Sequence, residues 1–248
     1  MAEFDNRVQP RVGAAATTAA IDVGLRAYML RVYNYMLAAL ALTGTSAWVI
    51  ANTSLSSLFF AMDPVTHAYG LTVFGMVGIF APLAFVIFLS VRIQKMSLAT
   101  AQITFWIYSA VMGISIASIL FAFTGESVAR VFFITAATFG AMSLWGYTTK
   151  ADLSGVGSFL FMGLIGIIIA SVVNLFIHST MVQWVVSVIG VIVFVGLTAY
   201  DTQKIKESYY VGDDSTVAGK KAVMGALRLY LDFINLFIML MQLLGNRR

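Results

Sequence analysis

The sequence predicts an all-α integral membrane protein with seven transmembrane helices, and three observations predict it. First, 60% of the 248 residues are hydrophobic and only 10% are charged. A soluble domain has roughly 45–50% apolar and 25% charged residues, so this chain cannot cover itself with a water-compatible surface. Second, apolar runs of about twenty residues, the length a helix needs to cross a bilayer, recur seven times. Only helices or closed barrels satisfy the backbone in lipid, and runs this long span as helices. Third, Lys and Arg sort onto alternate connections, the pattern of a multi-pass protein.

The elements follow in order. Residues 1–27 form an N-terminal segment with Arg7, Arg11 and Arg26 among small residues. No short apolar stretch with a cleavage site follows, so no secretory signal peptide is expected. Ile21–Arg31 reads as a short helix on the membrane surface. Residues 28–248 form the transmembrane domain. Its runs are about Val32–Ile50, Leu71–Val91, Leu98–Phe123, Ala129–Tyr147, Val156–Ile177, Met181–Gln203 and Ala222–Gly245. A polar connection with Asp63, Pro64 and His67 separates the first two. A long polar stretch, Lys204–Lys221, precedes the seventh. Eleven Lys and Arg fall on one side against Arg130 alone on the other, which puts the N-terminus in the cytoplasm. Seven full crossings carry Arg247 and Arg248 outside. A six-span or re-entrant arrangement would keep them inside, and seven crossings are preferred.

Small residues recur at packing spacing: Ser109, Gly113 and Ala117 in span three, Gly166 and Ala170 in span five. They read as close helix contacts within one bundle. Pro82 should bend span two. Trp48, Trp145 and Trp184 lie near span ends and fit interfacial anchoring, whereas Trp106 lies deeper and reads as packing.

Several chemistries are set aside. Zero Cys excludes disulfides, thiol catalysis and thiolate metal sites. His67 and His178 have no clustered ligands, so they read as surface residues. No phosphate-binding loop, nucleophile elbow or other enzyme constellation is present, and no enzyme activity or cofactor is expected. The net charge of +4 reflects loop placement, and nucleic acid is not an expected partner.

The scarce charges carry the functional argument. Asp201, Arg228 and Asp232 lie within or at the ends of the last two spans. An Asp near a bilayer centre costs about 2.5–3.5 kcal/mol on insertion scales, so an intramembrane acid is read as a functional site. In span seven the polar residues are Arg228, Asp232, Asn235 and Gln242. At 100° per residue they share a sector of roughly 80°. One polar stripe on an apolar helix must face protein or water, so span seven should stand inside the bundle. Asp201 precedes Lys204 by three residues and lies roughly 5 Å inside the boundary. If Arg228 marks the boundary of span seven, Asp232 is roughly 6 Å deep; if Lys221 marks it, roughly 16 Å. Arginine favours the interface, so the two aspartates should share one level with Arg92. Two carboxylates in contact resist ionising together and titrate as a unit. They can share a proton, pair with an arginine or bind a hard cation. A structural alternative stays open: Asp232 paired with Arg228 one turn away, and Asp201 with Arg92 or water.

Gly196-Leu-Thr-Ala-Tyr-Asp-Thr-Gln-Lys-Ile205 and Leu229-Tyr-Leu-Asp-Phe-Ile-Asn-Leu-Phe237 closely resemble the paired signature of the Bax inhibitor-one (transmembrane Bax-inhibitor-motif) family. Gly157-Ser-Phe-Leu-Phe-Met-Gly-Leu-Ile-Gly166 resembles its bacterial members. The resemblance runs from about Arg26 to the end. It implies six helices around a central C-terminal one. It also implies a pH-sensitive calcium leak channel or transporter of the bacterial cytoplasmic membrane, with calcium as the transported ion. Asp201 and Asp232 match the family's proton-sensing pair, and they are the residues through which calcium would be held. Arg92 corresponds to a latch from span two, with Arg228 as the other counter-charge; Asn235 and Gln242 would line the pore. Some members carry an acid within span two, and this chain has none there. Eukaryotic relatives are associated with suppression of cell death. A bacterial member is linked to a membrane AAA protease, so the competing reading is a non-conducting regulator of such a machine.

Overall fold

A computed structural model describes residues 12–62 and 69–248; of residues 12–22, Met62 and Tyr69 it describes the backbone course alone. Arg7, Arg11, Asp63, Pro64 and His67 lie outside the described residues. The elements are α1 (Val12–Asn52), α2 (Ser56–Phe59), β1 (Phe60–Met62), β2 (Tyr69–Leu71), α3 (Val73–Arg92), α4 (Leu98–Ala122), α5 (Gly125–Thr148), α6 (Ser154–Ile177), α7 (Thr180–Glu207) and α8 (Ser215–Leu244). Every helix here but α2 is long and apolar enough to cross a membrane. The chain is therefore an all-helical, multi-pass membrane protein.

Side-chain caps start most of these helices by accepting from the orphan amides of the first turn. Thr72 accepts from Gly75 at 3.0 Å, Ser97 from Thr100 at 3.1 Å and Ser179 from Val182 at 3.3 Å. Asp214 accepts from both Thr216 and Val217 at 2.8 Å. This last cap sits inside the stretch read from sequence as one polar gap. Helix α7 continues to Glu207 and α8 begins at Ser215, so the connection is only residues 208–214. The extra turns are polar because they extend beyond the apolar span, not because they are irregular.

Two other expectations are corrected. Ile21–Arg31 is not a separate surface helix. It is part of α1, which also runs through the expected boundary at residues 27 and 28 without a break. Tyr28 and Met29 are buried there, and the Tyr28 hydroxyl lies 3.1 Å from that of Ser208 in the α7–α8 connection. Burial against that connection holds the stretch in line with the span. The first connection is not simply polar either. β1 and β2 pair antiparallel in the register Phe60↔Leu71, and Phe60 packs on Phe121 of α4 with ring centroids 5.0 Å apart.

The bend at Pro82 has a specific partner. Proline lacks the N–H that would bond to the carbonyl four residues back, which is that of Gly78. The Ser115 hydroxyl of α4 donates to that carbonyl at 3.3 Å. A neighbouring hydroxyl thus meets the freed group, as lipid requires. The small residues of span three behave as read: a Cβ at Gly113 would strike Ser46 and the α1 backbone. Gly166 does not, because nothing lies within 4 Å of its Cβ position.

Helix α8 is the axis. It packs on α1, α4, α5 and α7, while α3 packs on α4 and α6 on α7, one layer further out. Of the apolar stretch of α8, 67% is buried, against 11–33% in the other six spans. Its far end is fastened to the α4–α5 turn. Thr124 donates to the Asn246 carbonyl at 3.0 Å, Asn246 to the Ser127 hydroxyl at 2.8 Å and Arg248 to the Ala122 carbonyl at 3.1 Å. α8 therefore crosses the whole bundle and does not turn back.

Candidate functional site

Helices α7 and α8 run antiparallel in a fixed register. Lys221 donates to the Ser208 carbonyl at 3.0 Å. Gly225 faces Ile205 and Gly190 faces Met239. At the far end, Gln183 donates to Gln242 at 2.8 Å. Between these ties the register sets Asp201 against the turn of α8 that holds Arg228 and Asp232.

The carboxyls of Asp201 and Asp232 are within hydrogen-bonding reach of each other, and the positive charge of Arg228 acts on both. Asp232 is only 4% exposed. Its Oδ2 has no hydrogen-bond partner among the described residues. Asp201 is half-buried and Arg228 is exposed. No ion pair within 4 Å joins Arg228 to either acid among the described residues, so it acts as a nearby charge at the rim. The structural alternative of an Asp232–Arg228 pair with Asp201 elsewhere does not describe this arrangement.

The structure does not bring Arg92 to the acids. It ends α3, which packs on α4, and its side chain is exposed. The polar stripe of α8 is also divided. Asn235 donates back to the Leu231 carbonyl of its own helix at 2.9 Å. Gln242 belongs to the opposite end, where it also accepts from Arg247 at 3.3 Å.

Hydroxyls and an amide not singled out from sequence frame the acids. Tyr33 of α1 lies 2.7 Å from Ser143 of α5, which lies 2.9 Å from Thr202 of α7. Gln203 donates to the Ala151 carbonyl at 2.8 Å and accepts from Leu153 at 3.0 Å, which fastens the α5–α6 connection to α7. Thr202 and Gln203 directly follow Asp201, so the motif itself carried the signal. Thr43, Tyr230, Tyr108 and Phe105 form a buried cluster nearby in α1, α4 and α8. Thr43 lies 2.6 Å from the Tyr230 hydroxyl, and the Tyr108 and Tyr230 rings meet edge to face at 5.5 Å.

Among the described residues no group of three or more His, Asp or Glu could hold a metal. Calcium takes six to eight oxygen ligands, and two carboxylates supply four oxygens at most. A calcium ion passing this point would keep water in its shell. His178 is exposed at the left-handed C-cap of α6, as a surface residue should be. Trp48, Trp145 and Trp184 are about half exposed or more, facing outward as interfacial anchors do. Trp106 packs against Tyr35 and Phe105.

Fold and site together define a seven-span helical membrane protein with an acid pair where α7 meets the central helix α8. The profile of the family described as "Inhibitor of apoptosis-promoting Bax1" matches residues 25–248, and the chain belongs to that family. It is 50% identical over 227 residues to an uncharacterized protein of Rickettsia prowazekii, covering 92% of each chain. It is 47% identical over 246 residues to the inner membrane protein YbhL of Escherichia coli, covering 98% of this chain and 97% of that one. An uncharacterized protein of Caulobacter vibrioides is 39% identical over the full length of both.

Proposed function

We propose that this protein is a proton-regulated calcium leak pathway of a bacterial inner membrane, with its N-terminus in the cytoplasm. Asp201 and Asp232 are its sensor and Arg228 its counter-charge. The observation that carries this reading is the contact between the two carboxyls, one of them almost fully buried with an unpartnered oxygen. The location follows from the relation to YbhL and from the excess of Lys and Arg at the α7–α8 end.

The physical logic is direct. With one proton between them, the two carboxyls hold α7 to α8. With both ionised, they repel at short range in a medium of low dielectric, and Arg228 offsets only part of that repulsion. Losing the shared proton therefore loosens the α7–α8 seam. In this reading the buried cluster of Phe105, Tyr108 and Tyr230 stands in an ion's way, so conduction needs that movement.

The test is calcium flux in liposomes that contain only this protein, measured over a range of pH. Flux should rise as the side facing the acids becomes more alkaline. The double variant Asp201→Asn and Asp232→Asn should abolish that dependence. An unchanged pH dependence in the double variant would refute the sensor.

A further inference from the structure

A second feature, separate from the acids, lies on the outer wall of the bundle. Helices α1 and α5 both pack on α8 but leave a groove of about 590 Å³ between them. Its floor is the Tyr33–Ser143 hydroxyl contact and the ring of Phe233 on α8. One wall runs from Arg26 to Leu37, the other from Tyr147 to Ala136.

We propose that this groove binds one acyl chain of an anionic phospholipid, with Arg26 against the headgroup phosphate. Three observations select that occupant. The groove lies within the spanning segments and opens sideways, so whatever fills it comes from the bilayer. Each wall covers eleven residue steps, roughly 16 Å, close to half of the roughly 30 Å hydrocarbon core; this is the depth of one leaflet. Polarity is also graded as a lipid is. Arg26 and Tyr147 stand at one end, while Leu37 and Ala136 stand at the deep end. Arg26 is exposed, with no carboxylate within 4 Å among the described residues.

A second groove, between α6 and α7 around Gly166, is apolar along its lining and has no charge at either end. It serves as the comparison.

The full-length protein would be embedded in nanodiscs of equimolar dioleoylphosphatidylglycerol and dioleoylphosphatidylcholine, then examined by native mass spectrometry for retained lipid. The wild type should retain phosphatidylglycerol over phosphatidylcholine by roughly five-fold, the contribution of one arginine near the membrane surface. Arg26→Gln should retain lipid with the preference reduced to near one. Gly140→Phe should lose the retained lipid, because its side chain enters the groove; nothing lies within 4 Å of the Cβ position, so the packing tolerates it. Leu37→Trp, on the facing wall, repeats the test should Gly140→Phe fail to fold. Gly166→Phe should behave as wild type. Equal retention of the two lipids by the wild type, or full retention by both groove-filling variants, overturns the proposal. So does a dimer that these variants convert to monomer.

Discussion

Helices α6 and α8 invert the rule of soluble proteins. α6 carries no charged residue, yet only 11% of its apolar stretch is buried. α8 carries Arg228, Asp232, Asn235 and Gln242, and 67% of its apolar stretch is buried. In water the more apolar helix would go inside. In lipid the apolar helix is already solvated and gains nothing by burial, while polar groups need protein partners. Helix α6 holds its place through one neighbour, α7, whereas α8 is placed by four.

The largest expected effect tests that difference at two glycines. A Cβ on Gly146 of α5 would meet the Ala199 backbone of α7, whereas one on Gly166 of α6 meets open space. Gly146→Leu should lower stability by about 3 kcal/mol through overpacking. Gly166→Leu should stay within about 0.5 kcal/mol. Thermal unfolding in a fixed detergent reads both, and similar midpoints would contradict the two-layer picture.

Cavity formation should separate the same helices. Leu236 of α8 is fully buried and Phe176 of α6 is 81% exposed. Leu236→Ala should cost about 2 kcal/mol, the low end for such a cavity, because lipid supplies no hydrophobic transfer term. Phe176→Ala should be nearly neutral. Steric-trap or denaturant unfolding in bicelles measures the pair.

The acids sharpen the contrast within α8 itself. Asp232→Asn gives Asp201 a donor at every pH. The α7–α8 seam should then stay joined, and calcium flux at alkaline pH should fall about tenfold, equivalent to about 1.4 kcal/mol on the open–closed balance. Gln242→Leu, at the opposite end, should leave the pH response intact. A strong pH effect of Gln242→Leu would move the gate away from the acids.

The smallest effect concerns the start of α6. The Asp152 carboxylate accepts from the Ser154 amide at 2.8 Å, and bonding to Ser154 holds it below the usual carboxylate range. Because its folded value is depressed, its support for the first turn is present above the unfolded value and is lost as pH falls through the folded one. Carbon-detected NMR should show Asp152 titrating below an ordinary aspartate, and its chemical shift should follow that of Ser154. An ordinary titration would remove this support.

Much of this was legible in the chain. The seven spans follow from the lengths of apolar runs, and the burial of α8 follows from its single polar stripe. The meeting of Asp201 and Asp232 was legible as a shared depth once Arg228 was taken as the boundary. Gln183 was not singled out from sequence, though its position held a signal for the contact with Gln242. Gln183 lies eighteen residues before Asp201, five full turns, and so shares its face. The helix starts at Ser215 and Val12 were not legible, because polar turns that continue a span beyond the lipid resemble a loop in composition.

By itself the sequence determined what must be satisfied locally: how many helices cross, which faces carry polar groups, and which motifs mark the last two spans. Those depend on periodicity and on the cost of polar groups in lipid, both properties of single segments. Tertiary structure alone decided that Arg228, not Arg92, stands beside the acids. It also decided that Ser115 meets the carbonyl freed by Pro82, and that α1 and α5 part over Phe233 to leave a groove. Each of these depends on the distance between segments far apart in the chain. Helix packing sets that distance, and no single segment encodes it.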